Sequence, residues 1–345
     1  MSLKNLSATS KIPKLFKNKL KNKRINRIYK KFEKSLNINK NFAVAVSGGP
    51  DSLALAFLAK IYSIKHNLSA KFLIVDHKLR HESTKEAKFV KKLLGHNFIS
   101  SEILTWKGNK LIKNIQSQAR KKRYELLFNR CDKFKIDSIL LGHHQDDLFE
   151  NFFIRILRGS GLRGLISLDK ESRVGNYKIL RPLLYQKKED LIFLSKNIFN
   201  IYIQDPTNKD EKFKRIKIRG FIEKLQNEGL NKKKFFKTIK NLKDSNIVVN
   251  FYTQKNLKKN THFLVKKEKL IINQEFFQQP NEVIFRSLSE VIQIIGKKYY
   301  SVRGKKLEKI IKNIKNNQPF RATLGGCIIE KLYQTVIISK EYKIL

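Results

Sequence analysis

Residues 42–58 read FAVAVSGGPDSLALAFL, and this stretch decides the fold. Phe42–Val46 is a short apolar run with the length of a buried strand. Ser47, Gly48, Gly49 and Pro50 form a turn, and an apolar-periodic helix follows at Asp51 and Ser52. A strand, a tight glycine turn and a helix gather backbone N–H groups at a positive helix end, where phosphate binds. The two glycines can adopt positive φ with no Cβ in the way. Pro50 suits a first helical turn, where its missing N–H is no loss. Ser47 and Ser52 add hydroxyl donors, and Asp51 beside phosphates makes sense with a Mg²⁺ between them. No GxxxxGK[ST] occurs here, so the turn is not a Walker loop. A Gly-Gly turn between strand and helix is also common in α/β proteins, so the surrounding chain has to agree.

Working outward, Ala70–Asp76 (AKFLIVD) is an apolar strand that ends in VDHKLRHES. Asp76 and His77 fall at its carboxyl end, where open α/β sheets bind ligands. Residues 82–94 read as a helix and 98–106 as a third strand. Residues 114–134 form a long polar helix in which Arg120, Lys121, Lys122 and Arg123 cluster beside Tyr124. Such a cluster is either a solvated face or a phosphate contact. Residues 138–142 are a short buried strand running into HHQDDLFENFF. His143, His144, Asp146, Asp147 and Glu150 crowd the start of the next helix, again at a strand's carboxyl end. Acids in a first turn can simply complement the helix dipole. Asp147 and Glu150, however, share a face at i, i+3 with His143 just ahead, which suits a metal or an amine. Arg158–Gly164 (RGSGLRG) is a basic glycine loop, residues 179–184 a fifth strand and 189–199 a helix. The alternation predicts an α/β fold with a doubly wound, mostly parallel five-stranded sheet.

The flanks read differently. Residues 1–40 carry thirteen Lys/Arg against the single acid Glu33, a basic N-terminal extension. Within it, residues 24–36 repeat apolar side chains at helical spacing, and the residues before them read as a mobile basic arm. The catalytic-type pattern occupies 41–220. Beyond it, 221–345 predicts a smaller, mainly helical domain: helices over 225–243, 282–295 and 305–314, a mixed stretch at 248–272 and a hairpin at 323–338.

Composition adds the kind of partner. The chain has 345 residues with 74 Lys+Arg against 29 Asp+Glu, a net charge of +45. Such a field attracts polyanions, nucleic acid first. An AT-rich genome would explain abundant Lys, Asn and Ile, but not so few acids. The two cysteines, Cys131 and Cys327, form no CxxC, which argues against an iron–sulfur or structural zinc site and fits a reducing cytosol. No apolar run approaches the length of a membrane span, and no signal-peptide core is present, so a cytoplasmic location without a membrane is expected.

The Ser47–Ser52 turn resembles SGGxDS, the pyrophosphate loop of the N-type ATP pyrophosphatases. With SGGPDS stand VDHKLRHES, QSQARKKRYELL, GHHQDDLFEN, RGSGLRGL, RPLL and QDPTN followed by Arg215 and Arg219. Seven motifs in this order closely resemble the tRNA(Ile)-lysidine synthetase family over roughly residues 41–219. That family converts the wobble cytidine of a CAU anticodon to lysidine with ATP and free L-lysine. The resemblance implies ATP at Ser47, Gly48, Gly49, Pro50, Asp51 and Ser52, with Asp76 and His77 beside it and Mg²⁺ on Asp51. It implies lysine at Asp147, Glu150 and His143, and Arg120 offsetting phosphate charge. Arg123, Arg158, Arg163, Arg215 and Arg219 are the expected tRNA contacts, and the family's frequent dimers leave a homodimer open. Three departures concern the grip on tRNA: residues 215–219 read RIKIR where RNxIR is frequent, Asn151 replaces a usual Thr, and the sequence stops short of a C-terminal extension some members carry. Cluster-dependent tRNA thiolases need CxxC spacing, small-molecule amidating ligases do not need +45, and a non-catalytic RNA binder would not need this set of acids.

Overall fold

The computed structural model describes residues 13–78, 82–108, 115–203, 214–264, 268–297, 302, 304–316 and 318–342. The chain divides into two compact units, 1–230 and 231–345. In the first, α1 (Lys14–Leu20) and α2 (Lys23–Ser35) precede β1 (Phe42–Val46) and α3 (Pro50–Lys65). Next come β2 (Ala70–Asp76), α4 (Ser83–His96), β3 (Ser101–Thr105), α5 (Ile115–Lys133), β4 (Ser138–Leu140) and α6 (Gln145–Ile156). The unit ends with α7 (Leu162–Leu165), β5 (Glu171–Val174), β6 (Tyr177–Leu180), α8 (Lys188–Phe199) and α9 (Lys214–Asn227).

The sheet runs β3-β2-β1-β4-β6-β5, parallel except for the last pair. β1 shows why both faces are covered. Phe42, Val44 and Val46 enter one core with α2, α3 and α8, while Ala43 enters a second core with Leu127, Cys131 and Ile139. α3 is buried nearly all round, from Leu53 to Ala59 without a break. Such a helix is held by packing on both sides rather than by an amphipathic stripe.

Two expectations need correction here. The sheet has six strands, not five, because β5 folds back on β6. Gly175 at φ +58 and Asn176 make the two-residue turn between Val174 and Tyr177. β5 (ESRV) is a half-exposed edge, too polar to read as a strand. The segment before Arg24 is not all free arm either. α1 docks Phe16 with no exposed surface, edge-on to Phe57 at 5.1 Å. α2 follows the expected spacing, with Ile25, Ile28, Tyr29 and Phe32 buried.

The second unit contains α10 (Lys232–Asn260), β7 (Thr261–Leu264), β8 (Lys269–Ile272), a 3₁₀ turn (Gln274–Gln278), α11 (Asn281–Ile295) and α12 (Gly304–Lys315). It closes with β9 (Phe320–Leu324), β10 (Cys327–Leu332) and β11 (Thr335–Lys340). Its sheet is antiparallel in the order β7-β8-β11-β10-β9, in addition to its helices. Gly325 and Gly326, at φ +67 and +81, turn β9 into β10. The mixed stretch at 248–272 holds the end of α10 and the β7–β8 pair. Among the described residues no helix is long and apolar enough to cross a membrane.

Candidate active site

Topology places the site. β1 and β4 are neighbours, but β2 lies on the far side of β1 and β6 on the far side of β4. The connections therefore diverge, and a crevice opens at the carboxyl ends of β1 and β4. The Ser47–Ser52 turn leaves one strand, and the turn into α6 leaves the other. Gly142 keeps them close: a Cβ there would lie 3.2 Å from the carbonyl of Asp51 and from Ser52 Cα.

The first turn is built on Ser52. Its hydroxyl accepts the N–H groups of Ser47 and Gly48 (both 3.1 Å) and donates to the Gly49 carbonyl (3.0 Å). Gly48 stands at φ +88, and a Cβ there would meet Val90 Cγ2 at 2.5 Å. Pro50 opens α3, and no side chain caps the helix. The first-turn amides of α3, rather than those of Ser47 and Gly48, are what the loop offers an anion. Asp51 Oδ1 is buried and has no hydrogen-bond partner among the described residues.

The second turn is built on His144. It caps α6: its Nδ1 accepts the Asp146 N–H (3.2 Å), and its own N–H donates to Asp147 Oδ2 (2.9 Å). Its Nε2 then lies 3.5 Å from Asp51 Oδ2 and 3.6 Å from Asp147 Oδ2. Because Nδ1 is an acceptor, Nε2 carries the ring proton and faces both carboxylates. Burial works against a charge on this ring, but Asp51, Asp147 and Asp146 outweigh it and raise its pKa. One imidazole thus ties the two turns of the crevice together. The sequence reading favoured His143 of the pair; His143 is half-buried in the same turn. Only the cap geometry distinguishes them.

Glu150 lies one turn into α6 and is 3% exposed. Its Oε1 accepts the Nε–H of Arg219 from α9 at 2.5 Å, and its Oε2 is buried without a hydrogen-bond partner among the described residues. Burial opposes the Arg219 charge, yet the bond to Glu150 prevails and its pKa is raised. The expected lysine residue and an expected tRNA residue are therefore partners of each other.

At the end of β2, Asp76 is spent on local structure. Its oxygens accept the Lys78 N–H (3.0 Å) and the Thr84 hydroxyl (2.7 Å), tying the end of β2 to the first turn of α4. His77 Nε2 accepts the Arg123 Nε–H (3.1 Å). Burial, and then the Arg123 charge, lower the His77 pKa to about 4 despite Asp76. Arg120 is exposed and stacks over Tyr124. Arg158 and Arg163 are exposed, and the Arg215 side chain lies outside the described residues. Sequence reasoning passed over Arg181 of the RPLL motif. It is buried, and its Nη1 donates to Asp169 O (2.8 Å) and Ser172 Oγ (3.0 Å), holding the β5–β6 hairpin. Its one signal was a charge inside an apolar strand.

A PP-loop domain family matches residues 18–226, which covers both turns. A tRNA(Ile)-lysidine synthase of Orientia tsutsugamushi (strain Boryong) is 34% identical over 315 residues, 88% of this chain and 70% of that protein. The chain belongs to the tRNA(Ile)-lysidine synthase family. The enzyme of that name from Wolbachia pipientis wMel is 35% identical over 310 residues, 88% of this chain and 71% of its own length. A Rickettsia akari (strain Hartford) relative is 30% identical over 326 residues, 91% of this chain and 74% of its own. Among solved structures, the U34-tRNA thiolase NcsA from Methanococcus maripaludis superposes with a TM-score of 0.55 at 19% identity, covering 64% of this chain and 78% of that one. That likeness bears on the fold. As a PP-loop family member, the chain has an ATP-dependent chemistry to serve. Among the described residues no three His, Cys, Asp or Glu gather into a metal cage. Asp51 with its unpartnered Oδ1 instead fits Mg²⁺ held mainly by phosphates and water.

Proposed function

We propose that the chain converts the wobble cytidine of a CAU-anticodon tRNA(Ile) to lysidine, with ATP and free L-lysine as co-substrates. The observation that carries this reading is His144 joining Asp51 of the pyrophosphate loop to Asp147 of the acidic turn. His144 thereby joins the loop expected to handle phosphate to the turn expected to handle the amine, in a chain related to enzymes bearing that name.

ATP binds at the Ser47–Ser52 turn, where Asp51 would hold a Mg²⁺ that would supply countercharge for the leaving pyrophosphate. Cytidine O2 forms a bond to the α-phosphorus as the bond to the β-phosphate oxygen breaks. Arg120 offsets the charge that develops there. The lysine ε-amine then bonds to C2, and AMP departs carrying O2. A lysine ammonium has a reference pKa of about 10.4 and is no nucleophile until it loses a proton. Asp147, Glu150 and His143 hold the amine and allow it to lose that proton. Arg123, Arg158, Arg163 and Arg215 serve the RNA backbone.

The test is incorporation of radiolabelled lysine into a CAU-anticodon tRNA(Ile) transcript with ATP and Mg²⁺, beside Asp51→Asn. Incorporation that needs ATP and Asp51 is the expected result. Pyrophosphate release without incorporation would reassign the nucleophile, and the absence of both from a folded, tRNA-binding protein would overturn the reading.

A further inference from the structure

Glu150 is an uncommon carboxylate. Its side chain is 4% exposed, one oxygen is bound to Arg219, and the other is buried with no donor among the described residues. A buried acceptor left unmet costs free energy, so Oε2 calls for a donor that the described residues do not supply. The ligand class follows from the geometry. Oε2 needs an N–H donor, and the cluster around it is acidic: Asp146 and Asp147 stand one turn earlier on α6. An amine fits, and an anion does not.

Acids that bind an amine also oppose its reaction. A carboxylate beside an ammonium raises the ammonium pKa and holds the nitrogen in its unreactive form. Arg219 from α9 is bonded to Glu150 and also interacts electrostatically with Asp147 and Asp146 on α6. His144 is already engaged with Asp51, Asp146 and Asp147. Arg219 is thus the cation matched to Glu150, at 2.5 Å and from a different helix.

Resting on the lysidine reading above, we propose that Arg219 is a positioning residue for the lysine nucleophile. It fixes Glu150 so that Oε2 accepts an amine N–H, and it cancels the Glu150 charge so that the amine is held without being trapped as ammonium. The expected phosphate contact gives way to this role. The proton leaves the amine for solvent or for Asp147 as the N–C2 bond forms, and Arg219 itself transfers nothing.

The test separates the two half-reactions in the full chain. Pyrophosphate release with tRNA and ATP reports adenylation, and labelled lysine entering the tRNA reports transfer. Each is followed from pH 6 to 10. In Arg219→Gln the pH midpoint of transfer should rise by about one unit or more, the shift expected when a close countercharge is removed. Transfer at pH 7 should fall about tenfold and recover near pH 9, while adenylation stays within about twofold. Arg219→Lys, which keeps the charge, should hold the midpoint near wild type. Arg219→Gln/Glu150→Gln, which restores charge balance without the ion pair, should bring it back; this arm holds even if either single variant folds poorly. An unmoved midpoint in Arg219→Gln, or equal loss of adenylation, transfer and tRNA affinity, overturns the proposal in favour of an RNA contact. Wild-type protein that forms no lysidine at any pH would instead sink the functional reading on which it rests.

Discussion

His144 and His143 are adjacent and chemically identical, yet only one has its ring fixed by a helix cap. Their difference arises from which imidazole meets the Asp146 N–H, a choice made by backbone geometry. His77 gives a measurable consequence at the same scale. Its pKa is lowered to about 4 by burial and by Arg123, against an ordinary value of about 6.5. The unfolded chain therefore takes up a proton between about pH 6.5 and 4 that the folded chain refuses. The stability owed to neutral His77 is present above pH 6.5, declines as pH falls, and levels off below 4. Because the ring is partly solvated, roughly 1–2 kcal/mol of the full linkage is expected. Urea midpoints of wild type and His77→Gln should converge over this interval. Parallel curves would mean that the ring is not held neutral by the fold.

At the scale of elements, the pyrophosphate loop and α1 each rest on a single residue. Gly48→Ala would place a methyl group 2.5 Å from Val90 Cγ2 on a backbone at φ +88. The nearest side chains, Val90 and Ile203, can shift, so the expected cost is about 1–3 kcal/mol, with the loop displaced. ATP-dependent pyrophosphate release should fall at least about tenfold with an unchanged far-UV spectrum. Activity near wild type would show that the loop tolerates another path. Phe16→Ala tests whether α1 is part of the first unit or an appendage. Its ring is wholly buried against Phe57, so the loss should be about 3–5 kcal/mol by urea unfolding. A loss under about 1 kcal/mol would return α1 to the mobile arm that its lysines suggest.

For the whole molecule the dominant quantity is +45. A chain this basic should bind tRNA with an affinity that falls linearly in log[salt], by about a thousandfold between 50 and 200 mM if six or more phosphates are met. Filter binding across that range measures the slope. Arg158→Gln, at an exposed site beyond α6, should reduce the slope by about one and leave the KM for ATP unchanged. A flat salt dependence would mean that the charge is compositional and carries no RNA.

Much of this protein was legible along the chain. The strand–turn–helix at 42–58, the parallel alternation and the acidic turn at 143–150 are local patterns of apolar period, glycine and charge. Local patterns report how a segment relates to its own neighbours in sequence. What remained hidden depends on segments far apart. β5 became a strand only by pairing with β6, and Phe16 became core only by meeting Phe57. His144 became the bridge because the switch between β1 and β4 brings Asp51 beside Asp147. Arg219, read as a cation for RNA, lies sixty-nine residues from Glu150 and is claimed by it. Charge and spacing state what a side chain can bind; burial and proximity, which only the folded chain supplies, select its partner.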